Sequence, residues 1–133
     1  IILIFYFINK YYKMSMKQVN FLHILLLGPT MIYAGALSKS QLSNKNNISI
    51  DLLFGAIAVY ALFIPFIVRH KFIKQKIKDW SRRNWINFFH YVVFFFIFLY
   101  IGLVGRNISK FFQYIAVAIG ISQISIHLYF IKP

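Results

Sequence analysis

Four apolar stretches, near residues 21–37, 51–68, 84–104 and 111–131, leave this 133-residue chain few ways to fold. They match the roughly 17–25 helical residues that cross a bilayer's hydrocarbon core. With 60% hydrophobic residues, a water-soluble domain of this length would have to bury more side chain than its interior holds. None of the stretches alternates apolar and polar residues strictly, so helices are expected rather than barrel strands. The expected architecture is an all-α, integral membrane four-helix bundle. Gly28-Pro29 is expected to kink the first span by freeing the carbonyl of Leu25, and Pro65 to do the same to Ala61 in the second.

Charge sets the expected orientation. The formal net charge is +13, which on a soluble domain would suggest nucleic acid, but here the cations lie between apolar runs. Lys10, Lys13 and Lys17 precede the first span, and Arg69, Lys71, Lys74, Lys76, Lys78, Arg82 and Arg83 separate the second from the third. Lys132 joins that side, and only Lys39, Lys45, Arg106 and Lys110 fall on the other. The positive-inside bias places both termini in the cytoplasm. The loop 69–83 reads as an amphipathic segment, with Ile73, Ile77 and Trp80 on one face, suited to anionic lipid; the plainer reading is a connector obeying topology. Residues 1–19 are expected to be a cytoplasmic or interfacial segment. Its opening "IILIFYFI" is too short to span and has no basic leader, so it does not read as a signal peptide; residues 1–13 are expected to be a translated upstream stretch or an interfacial flap.

The second constraint is a repeat. "NFLHILLLGPTMIYAG" at 20–35 and "NFFHYVVFFFIFLYIG" at 87–102 share one frame: Asn-Phe-x-His, nine residues, Tyr-x-Gly. Each outer connection contains Asn-Ile-Ser, and the second and fourth spans end in "VRHKFIK" and "SIHLYFIK". The sequons Asn47-Ile48-Ser49 and Asn107-Ile108-Ser109 lie too near the membrane to be expected acceptors. The chain is therefore expected to contain two tandem helical hairpins, 20–70 and 84–131, forming one domain over 20–131 as a parallel pseudo-twofold repeat. These stretches resemble small four-span membrane proteins encoded by large DNA viruses, over residues 20–37 and 87–104. The resemblance implies a four-span membrane protein and carries over no site residues.

The repeat puts His23, His70, His90 and His127 near the same cytoplasmic boundary. Asn20 and Asn87 lie three residues before a histidine, on its helix face, where an amide oxygen can hold an imidazole tautomer. The plain reading of this belt is interhelical hydrogen bonding at about 0.6 kcal/mol each. The second is a cofactor site, with two histidines on haem b iron or more of them on zinc or copper. The third is a proton or ion path. Tyr33 and Tyr100 fall off the histidine face and are expected at the outer interface, with Trp80 and Trp85 at the inner one. Gly35 and Gly102 are expected to admit a neighbouring helix closely.

Some chemistries are excluded. The chain has no glutamate and no cysteine, and its two aspartates, Asp51 and Asp79, fall near opposite membrane faces. That rules out di-iron carboxylate centres, thiolate sites and a carboxylate dyad. It has no phosphate loop and no nucleophile elbow. The leading expectation is thus a non-enzymatic multi-pass membrane protein, a structural or interaction component whose partners are lipid and other membrane proteins. The alternatives are a haem- or metal-binding redox subunit and a small oligomeric pore.

Overall fold

The computed structural model describes residues 15–67 and 73–131, and among these every regular element is helical. Four helices are long and apolar enough to cross a membrane: span 1 (Lys17–Ala36), span 2 (Ile48–Pro65), span 3 (Arg82–Asn107) and span 4 (Lys110–Ile131). His70 lies outside the described residues.

Serines start spans 1, 3 and 4. Span 1 opens with α1 (Met16–Leu22), where the Ser15 hydroxyl accepts from the Gln18 amide and the Ser15 amide donates to Gln18 Oε1. The short α3 (Lys39–Ser43) repeats this reciprocal box with Ser38 and Gln41. Ser81 caps α5 (Arg82–Phe89), and the Ser109 hydroxyl accepts from the Phe112 amide at the start of α7 (Lys110–Ile131). Each satisfies backbone donors that the first helical turn leaves unpaired.

Spans 1 and 3 share one irregularity. Span 1 widens into a π turn at His23–Leu27 before resuming as α2 (Gly28–Ala36). Span 3 does the same at His90–Phe94 before α6 (Phe95–Val104). Pro29 lies just beyond the first of these turns, but span 3 has no proline. Proline alone therefore does not explain them. What both share is a histidine whose Nδ1–H bonds the carbonyl four residues back, a carbonyl that also accepts the histidine's own backbone N–H. Span 2 is α4 (Ile48–Ile67), and it continues through Pro65 to its last turn.

The tightest seams do not follow the hairpins of the sequence. Span 1 packs chiefly on span 4, and span 2 on span 3. Both seams are antiparallel, since Gly28 meets Ile124 while Gly35 meets Val117, and Phe54 faces Gly105 while Ala58 meets Gly102. Gly35 and Gly102 are points of close approach, as their place in the repeat suggests. A Cβ on Gly102 would sit 2.5–2.7 Å from the Ala58 backbone and side chain, and one on Gly35 would strike the Gln113 carbonyl. Only glycine lets the helices come this near. The core between the seams is built from Met31, Ala34, Phe54, Ile57, Ala61, Phe98 and Ile101.

Between spans 2 and 3 the sequence suggests an amphipathic helix, and from residue 73 onward the structure corrects this. The described part of this loop is 3₁₀ at residues 73–74 and again at Ile77–Asp79, the latter between extended Lys76 and Trp80. Ile73 and Ile77 are exposed, and Trp80 instead stands edge-on to Trp85 and tilted against Phe88.

Candidate functional site

The repeat's histidines meet at one end of the bundle. His23 from span 1 stacks on His127 from span 4, with ring centroids 4.0 Å apart and planes inclined by 24°. His90 from span 3 stands edge-on to His23 at 6.4 Å. Three of the four histidines singled out by sequence therefore form one layer. His23 is almost fully buried, while His90 and His127 are half-buried.

Hydrogen bonds fix which nitrogen of each ring carries the proton. His23 Nδ1 donates to the Val19 carbonyl at 2.8 Å, and His90 Nδ1 donates to the Ile86 carbonyl at 2.8 Å. A carbonyl only accepts, so both rings hold hydrogen on Nδ1 and a lone pair on Nε2 when neutral. His127 Nδ1 donates to Asn20 Oδ1 at 2.7 Å, with the same result. All three imidazoles thus present Nε2 as an acceptor. His23 Nε2 is buried with no hydrogen-bond partner among the described residues.

The asparagines do not serve the histidines next to them in sequence. Asn20 is buried and crosses to His127 on span 4 instead of holding His23, whose Nδ1 the Val19 carbonyl already occupies. Asn87 is half-buried, and its side chain makes no hydrogen bond to another described residue. The same-helix pairing expected from spacing fails because each Nδ1 is taken by the carbonyl four residues back.

Geometry also decides what the layer holds as it stands. A metal lies in the plane of each imidazole that ligates it, about 2 Å from the nitrogen. Two stacked rings at 4.0 Å with planes 24° apart share no such point close to both. Among the described residues no group of three or more His, Cys, Asp or Glu is disposed to hold a metal ion. Neutral, the layer accepts hydrogen bonds or a proton.

Two glutamines and an arginine complete the polar interior, and the spacing of the repeat did not point to them. Gln113 Nε2 donates to the Leu37 carbonyl at 2.8 Å, tying span 4 to the last turn of span 1. Gln123 is buried with its Oε1 unpartnered among the described residues. Isolated amides in an apolar helix were the available signal. At the opposite end Arg106 donates to both Asp51 oxygens, Nε at 2.6 Å and an Nη at 3.0 Å, and to the carbonyls of Leu42, Asn44 and Asn47. Comparison with protein-family models, curated proteins and solved structures gives no match.

Proposed function

We propose that the chain is a non-enzymatic, multi-pass integral membrane protein that acts as a structural or interaction component, with both termini cytoplasmic. The observation that carries this reading is the disposition of span 3. It has the highest mean hydropathy of the four, 2.2, yet only 11% of its apolar window is buried within the chain, against 28% for spans 1 and 2. Phe96 and Leu103 point outward from it. Such a face is covered by lipid or by another protein in the membrane. The repeat of two tandem hairpins belongs to the same proposal. It is supported by the two π turns at His23 and His90, and by the two glycine contacts at Gly35 and Gly102.

A photo-crosslinking residue at Phe96, expressed in the native membrane, tests this reading. A discrete protein adduct, identified by mass spectrometry and absent when the crosslinker replaces Leu62 of span 2, is expected. Lipid adducts alone at both positions, or substrate turnover by the purified protein, contradict it.

A haem- or metal-binding redox subunit is the second reading, favoured by the convergence of His23, His90 and His127 with their Nδ1 hydrogens held by oxygen acceptors, the arrangement that prepares Nε2 for ligation. It requires the His23 or His127 ring to leave the stack. A Soret band lost in His90→Ala supports haem, and bound metal in a colourless protein supports a metal ion. A colourless, metal-free protein eliminates both.

A further inference from the structure

Two acceptors are left over in the buried interior, and register places them together. Along the antiparallel seam of spans 1 and 4, Gly120 lies against the Gly28 carbonyl and Ile32, Ile124 against Gly28, and His127 against Asn20 and His23. Gln123 follows Gly120 by three residues and precedes His127 by four, so it shares their helix face. It therefore faces the stretch of span 1 between His23 and Gly28, which is the π turn. His23 Nε2 and Gln123 Oε1 are the buried side-chain nitrogen and oxygen atoms without a partner among the described residues. Both accept and neither donates, given the hydrogen on His23 Nδ1.

The imidazole N–H donors of the layer are already committed. His90 Nδ1–H goes to Ile86 and His127 Nδ1–H to Asn20, which leaves only lone pairs on the ring nitrogens turned from those bonds. An anion would meet lone pairs on the three rings and on Gln123 Oε1. Buried acceptors without partners are costly, and a buried polar site is commonly satisfied by a molecule making two or more hydrogen bonds. We propose that His23 Nε2 and Gln123 Oε1 bind one small guest carrying at least two O–H or N–H donors, held beneath the His23–His127 stack. Water and ammonium share this chemistry. The guest extends the polar layer one helical turn deeper along span 4, and it requires no protein partner.

Nitrogen-15 NMR of histidine-labelled full-length protein in phosphatidylcholine–phosphatidylglycerol bilayers tests this site. His23 is expected as the Nδ1–H tautomer, with its Nε2 resonance showing a hydrogen-bonded lone pair and a cross-peak to an exchangeable proton. Gln123→Met, which keeps the side chain's length but removes the amide, is expected to abolish that cross-peak while the His127 signal reports an intact seam. Saturable movement of the His23 signal with ammonium chloride but not sodium chloride identifies ammonium. A cross-peak to water that ammonium leaves unmoved identifies water. The wild-type spectrum alone overturns the proposal if His23 is the Nε2–H tautomer or its Nε2 shows no exchangeable proton. A cross-peak unchanged in Gln123→Met overturns it as well.

Discussion

The two ends of the bundle treat their polar groups in opposite ways. At one end Arg106 directs its guanidinium N–H groups to five acceptors, two carboxylate oxygens and three loop carbonyls. At the other, three imidazoles collect lone pairs, and two buried acceptors have no donor among the described residues. Glycines allow close helix contact toward the Arg106 end, at Gly35 and Gly102, and again at Gly28 and Gly120, whereas the widened turns lie only toward the histidine end. One end has the marks of an anchor. The other combines loosened backbone with unspent acceptors, the pairing found where a protein binds something or moves.

Breaking the anchor should give the largest effects. Gly102→Leu forces a side chain into the Ala58 backbone, and the expected cost is about 1–3 kcal/mol, read by unfolding in mixed micelles. Arg106→Ala should come next. It leaves Asp51 and the carbonyls of Leu42, Asn44 and Asn47 without their shared donor, so amides of residues 38–47 should exchange much faster while the helix seams stay protected. Arg106→Lys should restore little of this protection, because an ammonium lacks the planar fork that reaches both the carboxylate and the loop.

Changes at the histidine end should be milder for stability. Asn20→Ala removes one interhelical hydrogen bond, worth about 0.6 kcal/mol on average between membrane helices, and frees the His127 ring. The same micelle unfolding assay should place it well below Gly102→Leu. Equal losses at the two ends would erase the contrast. Smallest of all should be Gly55→Ala on span 2, where an added Cβ meets nothing within 4 Å; a change within about 1 kcal/mol, in the stabilising direction, is expected from helix propensity.

Much of this contrast could be read from residue order, and some could not. The spans follow from run length alone, and their observed limits extend the expected ones by a few residues where serine caps add polar first turns. A common level for His23, His90 and His127 followed from the repeat and the helical rise, but the meeting of their rings did not, since that depends on which helices touch. Partner choice was hidden, because spacing along one helix says nothing about the rotation of its neighbour. Asn20 shares a face with His23 yet reaches His127 on span 4. The Arg106–Asp51 pair was hidden for a similar reason. Each residue read as an isolated charge at its own helix end, and only the packing of span 2 on span 3 joins them. The serine boxes at Ser15 and Ser38 went unread, although Ser-x-x-Gln before a helical run is a sequence signal in its own right.

The central claim is that spans 1 and 4 bring Asn20, His23 and His127 into one layer at one end of a membrane-embedded bundle. The chain contains no cysteine, so a double variant, Asn20→Cys with His127→Cys, provides a clean test in native membranes. The account predicts an efficient intramolecular disulfide under mild oxidation, in a protein that resists alkaline extraction, and none when Leu103→Cys replaces His127→Cys. Absence of the 20–127 link, or release of the protein into the soluble fraction, would contradict it.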